Sequence, residues 1–236
     1  ELYSAGIERL THQPLSFSVS ETTEGVHIHI IDAELMGKGE KEKKDLYIEG
    51  VQNNGIINHY EYIINSEGTI EIRHVLKPEG KMPLWFPRIG LTLTVSDALD
   101  QVKWYGRGPQ ENYPDRKTGY PMGIYASTVQ AMYEPYLMPQ DYGLRTDVRW
   151  LQLTTDKGIG LQFKMNEWFN FNIYPYSTDN LTKAMYTYQL QKQKGMTLNL
   201  DYATTGVGCT ARGVFGAYKA MPQEYRRTIS IRPMMK

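Results

Sequence analysis

A chain of 236 residues with 26 basic and 26 acidic side chains carries no formal net charge, which removes the electrostatic argument for nucleic acid or an anionic membrane as partner. Its one cysteine, Cys209, excludes an intrachain disulfide, and all five histidines precede residue 75, so no histidine lies near that thiol in sequence to activate it. No apolar run reaches membrane length and no signal peptide is visible; the start at Glu1 fits a mature enzyme and a fragment of a longer polypeptide equally, and a cytoplasmic or periplasmic home stays open.

Along the chain, alternation dominates. Val26 to Ile30, Ile70 to Val75, Leu91 to Val95, Leu151 to Leu153 and Ile229 to Ile231 place apolar residues at every second position. That period predicts antiparallel strands with one face buried and one wet. Turn signals separate them at Glu24-Gly25, Asn53-Asn54-Gly55, Ser66-Glu67-Gly68, Pro78-Glu79-Gly80, Asp156-Lys157-Gly158 and Lys194-Gly195. The basic run Lys41 to Lys44, broken by Glu42 and flanked by Glu40 and Asp45, reads as a solvated turn. Thr178 to Gln191 is the best helical candidate, with Ser177 as cap and Leu181, Ala184, Met185 and Tyr188 on one face. Without a repeat or a low-complexity linker, the expectation is one all-β domain over 1–236 built of two packed antiparallel sheets.

Three stretches concentrate chemistry. WYGRGPQENYPDR, Trp104 to Arg116, holds Glu111 and Asp115 four residues apart beside Arg107 and Arg116. A carboxylate pair could serve acid–base chemistry, but arginines beside carboxylates hold them ionised and make poor general acids of them. An ion-paired knot that fixes the chain path is the favoured reading, with Trp104, Glu111, Asn112, Asp115 and Arg116 as its structural residues. Pro135 to Trp150 combines tyrosines and prolines with Asp141, Arg145, Asp147 and Arg149. It suits either the rim of a sugar pocket or cross-strand ion pairs. Thr205 to Tyr218, with four glycines, lets backbone approach a neighbour closely, and Arg212, Phe215 and Tyr218 are its candidates for facing a ligand. No Lys-Ser/Thr and no helix follow, so a phosphate loop is rejected. His27 and His29 share a strand face two residues apart; zinc would need a third ligand from elsewhere. Two solvent-facing histidines are the favoured reading, and no metal site or cofactor is expected in this chain.

The stretch from Trp104 to Arg116, read as W-x-G-x-G-P-x-E-N-Y-x-D-R, closely resembles the C-terminal, small-chain-like fifth domain of the glycoside hydrolase family 2 β-galactosidases. Pro87 to Gly90, Tyr133 to Trp150, Tyr176 to Leu190, Gly206 to Cys209 and Pro222 to Tyr225 are similar to family segments in the same order. The resemblance implies a supersandwich of the galactose-mutarotase-like type. It implies a β-galactoside or other carbohydrate as ligand and the other domains of a parent polypeptide as partners, and it is compatible with a homo-oligomer.

It also implies that the catalytic glutamates, with Mg and Na, belong to a TIM barrel elsewhere in the parent, so that this chain has no catalytic residue and is inactive alone. A retaining glycosidase needs two carboxyl groups roughly 5 Å apart around the scissile bond. Counted from Gly206-Val207-Gly208, the family's pocket tryptophan falls near Gly213, where Phe215 or Tyr218 could substitute, and the family's histidine after Tyr-Ser appears as Tyr186. The alternative to an accessory domain is a free-standing carbohydrate-binding module. An aldose mutarotase would rest on fold analogy alone.

Overall fold

Strands supply nearly all of the regular structure. The computed structural model describes residues 10–36, 54–209 and 213–235. The Lys41 to Lys44 turn and the candidate Arg212 lie outside the described residues. The chain divides into two compact units, one from residues 1–87 and 220–230, the other from 88–219 and 231–236.

The first unit is an antiparallel meander, β1 (Thr11–Thr22), β2 (Gly25–Leu35), β3 (Gly55–Ile64) and β4 (Ile70–Glu79), each strand paired with the next. Register is set at the first hairpin, where Thr22 faces Gly25 across a two-residue turn. Gly25 has φ +136°, and a Cβ there would run into the Ile64 carbonyl, so a side chain is excluded twice over. Ala33, Leu35, Ile56, Ile63, Ile72 and Leu76 are buried. On the β4 face of Ile72 and Leu76, His74 is buried too, stacked on Tyr60 with ring centroids 4.2 Å apart, its Nε2 3.0 Å from Asn58 Oδ1. β1 is different: Phe17 and Val19 are 68% and 55% exposed, so its alternating apolar side chains lie open.

The second unit holds β5 (Arg88–Val95), β6 (Gln101–Arg107), β7 (Met122–Thr128), β8 (Arg145–Thr154), β9 (Gly160–Tyr174) and β10 (Met196–Thr204). All pair antiparallel, in the order β5-β10-β9-β8-β6-β7. Trp104, Leu144, Val148, Leu151, Phe169, Phe171, Leu198 and Leu200 form its fully buried interior. The division between units falls within the last strand, β11 (Tyr225–Met234). The chain is thus all-β and antiparallel, as its alternation predicts. The strands expected from alternation lie inside β2, β4, β5, β8 and β11.

The helical expectation needs correcting. Ser177 does cap a helix, its Oγ accepting from Asn180 N at 3.0 Å, but α1 (Thr178–Lys183) is only six residues long. A single 3-10 turn follows at Thr187–Gln189. Side-chain amides end the helix: Gln189 Oε1 accepts from the Met185 and Tyr186 amides at 2.8 and 3.1 Å, and Asn180 Oδ1 from Gln191 N at 2.8 Å. Backbone groups satisfied this way gain nothing from further helical turns. Leu181 and Ala184 are buried, while Met185 and Tyr188 point out. No helix among the described residues is long and apolar enough to cross a membrane.

Candidate functional site

The Gly- and Pro-rich motif begins as strand. Along β6, Val102, Trp104 and Gly106 face inward and Lys103 and Tyr105 outward. Trp104 is fully enclosed between Tyr125 and Phe171, with the Arg145 guanidinium 5.4 Å from its ring and its indole N–H donated to the Arg107 carbonyl at 3.0 Å. Arg145 in turn donates to the carbonyls of Pro109 (2.9 Å) and Gly143 (2.8 Å). The aromatic therefore anchors the entry to the loop, and the arginine sets the path of the chain that follows.

Beyond Pro109 the polar residues turn inward. Glu111 is 6% exposed and accepts from Arg116 Nη2 at 2.5 Å, from Gly143 N at 2.8 Å, and from the Tyr136 hydroxyl. Burial and the Glu111 carboxylate push the Tyr136 phenol up, which keeps its proton in place for that bond. Asn112, fully buried, accepts from Thr146 N at 3.1 Å and Thr146 Oγ1 at 2.5 Å, while its amide N–H donates to Leu144 O at 2.8 Å. Tyr113 and Arg116 close a tight turn through Arg116 N to Tyr113 O at 2.7 Å.

Asp115 does something else. It reaches across the fold to accept from Val207 N at 3.0 Å and Gly208 N at 2.6 Å. Gly206 sits directly against this carboxylate, where a Cβ would overlap it. Asp115 thus clamps the start of the glycine-rich closing loop. Further bonds shape that loop, among them Gly206 N to Tyr218 O at 2.8 Å and Tyr218 N to Phe215 O at 3.0 Å. Phe215 precedes and Tyr218 ends one 3-10 turn, and they are 67% and 40% exposed. Two of the three candidate ligand-facing residues are therefore presented together, on a loop held by the motif.

The neighbouring carboxylate, Asp147, lies where the β8–β9 register shifts and has φ +56°, an uncommon backbone for a non-glycine residue. Arg107 Nε at 2.6 Å and Lys117 Nζ at 2.8 Å hold it there. Burial would raise its pKa, but the bonds from Lys117 and Arg107 outweigh burial and keep it below the usual carboxylate range.

Sequence reasoning missed a second cluster. Thr197, Asn199 and Asp201 form one face of β10 and Leu198, Leu200 and Tyr202 the other, and all six are buried. Arg88 on β5 donates to Asp201 Oδ2 at 2.8 Å, to Asp141 Oδ1 at 3.2 Å and to Asn172 Oδ1 at 3.3 Å. Asn172 and Tyr174 also donate to Asp141, at 2.9 and 3.1 Å. Burial pushes the Asp201 carboxyl up to about 6, with Arg88 pulling it down and Asp141 adding to the rise.

Asp201 is 1% exposed and its Oδ2 is shared by Arg88 and Thr204, so it orients Arg88 rather than meeting a ligand. Asp141 is the outward end of the network. Its side chain is 43% exposed and lines a cavity of about 260 Å³ with Met138, Gln140, Leu181 and Met185. The signal for this cluster was the three polar residues, Thr197, Asn199 and Asp201, alternating with apolar ones from Met196 to Tyr202.

A family model described as beta galactosidase small chain matches residues 9–231. The chain is 38% identical over 147 residues to a beta-galactosidase of Priestia megaterium, covering 62% of this chain and 14% of that protein. It is 39% identical over 122 residues to a beta-galactosidase of Vibrio cholerae (52% and 11%) and 34% identical over 148 residues to that of Pseudoalteromonas haloplanktis (62% and 14%). Among solved structures, a GalM/aldose epimerase homologue from C. elegans aligns with 93% of this chain and 69% of its own, at TM-score 0.45 and 11% identity. The chain spans only 11–14% of the length of these bacterial relatives.

Proposed function

Because this chain belongs to the beta galactosidase small-chain family, we propose that it is an accessory domain of a β-galactosidase. It shapes the substrate pocket and packs against other domains of a longer polypeptide, whose barrel carries the glutamates that cleave terminal β-galactosides. The observation that carries this reading is the Asp115 clamp. The motif on which the family resemblance rests commits its carboxylates to inward donors: Glu111 to Arg116, Tyr136 and Gly143, and Asp115 to the closing loop. Residues used in this way position a loop instead of transferring protons. That loop presents Phe215 and Tyr218, aromatic faces of the kind that pack on the C–H side of a sugar ring. The exposed Phe17 and Val19 on β1 support a packing role, since apolar side chains left open on a strand invite cover by a neighbour.

The test is an assay of the chain on a nitrophenyl β-galactoside, alone and within its full-length parent. The expected result is no turnover by the chain alone, and a loss of activity when Phe215 and Tyr218 are both replaced by Ala in the parent. Sustained turnover by the purified chain, or an unaffected parent variant, overturns the reading.

A further inference from the structure

A group of side chains on the first unit takes no part in the accessory role. His27 and His29 project from the same face of β2, and His29 lies directly opposite Glu61 on β3. We propose that His27, His29 and Glu61 bind a divalent ion of the zinc class.

Spacing is the first argument. Four ligands placed tetrahedrally at zinc bond lengths of about 2.0–2.2 Å stand roughly 3.3–3.6 Å from one another. His27 Nδ1 is 3.6 Å and His29 Nε2 4.0 Å from the same oxygen, Glu61 Oε1, and one donor atom from each of the three residues falls within a common 4.8 Å. These separations are too long for N–H···O hydrogen bonds; 3.6 Å lies at the edge of the co-ligand range, 4.0 Å a few tenths of an ångström beyond it, and the 4.8 Å limit of the set more than an ångström beyond. The His29 side chain is 51% exposed, so it has room to rotate toward the other two donors.

The second argument is independent of spacing. His27 Nε2 is buried without a hydrogen-bond partner, and the nearest carboxylate oxygen, Glu24 Oε2, lies 3.9 Å away. If Nδ1 gives its lone pair to a cation, the proton sits on Nε2 and points to Glu24. A carboxylate that fixes the tautomer of a ligating histidine is the usual outer support of such sites. Glu61 is prepared in the same sense: Arg73 Nη1 holds its other oxygen, Oε2, at 3.1 Å, while Arg73 Nε is held by Glu71 at 2.8 Å. Oε1 is left facing the histidines.

The donor set names the class of ion. Two imidazoles and one carboxylate suit Zn²⁺, Ni²⁺ or Cu²⁺, whereas Ca²⁺ and Mg²⁺ want oxygen ligands. Three protein donors with a solvent-facing fourth side leave that position to water or to an external ligand. The ion would pin β2 to β3 and stabilise the native state through its binding.

The test is uptake of Zn²⁺ by the chain in competition with a chromophoric chelator, in a Cys209→Ser background so that the exposed thiol takes no metal. One ion per chain is expected, with no uptake of Mg²⁺. His29→Ala and Glu61→Gln, at side chains 51% and 26% exposed, should each weaken uptake by about tenfold or more. His12→Ala, which removes the histidine beside Asp32 and Glu34, should leave it unchanged. Melting temperatures without metal report whether the variants fold. Should one not fold, the imidazole NMR signals of the unsubstituted chain decide: Zn²⁺ should shift His27 and His29 and leave His74 in place. No uptake at millimolar Zn²⁺, uptake indifferent to both ligand substitutions, or shifts confined to other histidines each overturn the proposal.

Discussion

Removing Glu111 should cost far more than removing Arg116, although the two are partners. Glu111 is buried and collects three donors, of which the Gly143 N–H is itself buried and has no route to water. Glu111→Ala orphans that donor, opens a void and releases Tyr136 and Arg116. An unsatisfied buried donor costs about 1–3 kcal/mol, and the void left by truncating a large buried side chain about 2–5 kcal/mol, so about 3–5 kcal/mol in all is expected. Arg116→Ala is milder. The arginine side chain is 46% exposed, so water screens the pair, and Glu111 keeps its bonds from Gly143 and Tyr136. About 1–2 kcal/mol is expected, between the values for exposed and buried pairs. At about 2–4 °C per kcal/mol for a chain of this length, Glu111→Ala should melt roughly 6–20 °C lower and Arg116→Ala roughly 2–8 °C lower. Scanning calorimetry of both variants and of the double variant measures the difference. A shift under about 2 °C for Glu111→Ala, or a larger loss for Arg116→Ala, would refute the reasoning.

Asp115→Ala removes two acceptor bonds from a partly exposed loop, so it should lower stability by only about 1 kcal/mol. Amide exchange at Val207 and Gly208 should nevertheless speed up by an order of magnitude; unchanged exchange in mass spectrometry would contradict the clamp. Gly206→Ala should push the Asp115 carboxylate aside and reproduce this phenotype, and the double variant should be less than additive, a point that melting curves of all three resolve. Acid should weaken the first unit through His74. Burial, with His59 adding to the effect, lowers its pKa from an ordinary 6.5 to about 4. The folded state then binds fewer protons than the unfolded state between these values. The stability this group contributes is complete above pH 6.5 and is lost as pH falls toward 4, at about 1.4 kcal/mol per pH unit. A His74→Phe variant should show a flatter pH profile of melting temperature, and parallel profiles would exclude His74 as the source.

What the sequence showed depended on the distance over which each feature is built. Strands with one wet face, such as β4 and β5, declared themselves by alternation. β10 alternates as well, but its alternation misleads, because Thr197, Asn199 and Asp201 line a face as buried as that of Leu198 and Leu200. Its polar residues looked like solvent positions and are interior hydrogen-bonding groups. The bond between Glu111 and Arg116 spans five residues and could be read locally. The partners of Asp115 lie 92 and 93 residues on, and nothing in the local pattern points to them. The histidines on β2 carry the same lesson: a search along one strand supplies His27 and His29, but the carboxylate comes from the next strand through register. The helix failed for the opposite reason. Its apolar spacing was sound, and the competing signal lay in Asn180 and Gln189, whose amides bond the backbone in place of further turns.

The pair of buried Asp201 and partly buried Arg88 bears on how such a domain holds an outer surface in place. Replacing an enclosed ion pair with apolar residues of similar volume is often neutral or stabilising, so stability alone gives little reason to keep one under a sheet. Geometry gives a better one. Asp201 and Asn172 fix the guanidinium from the inside, and the guanidinium then fixes Asp141, whose carboxylate also takes Asn172 and Tyr174. Asp141 is thereby set in one orientation at the edge of a cavity although its side chain is nearly half exposed. An exposed aspartate on a proline-flanked segment would otherwise sample several rotamers and lose entropy on meeting a hydroxyl or an amide. A polar network rooted on β10 removes that cost in advance, as the Asp115 clamp does for the loop bearing Phe215 and Tyr218.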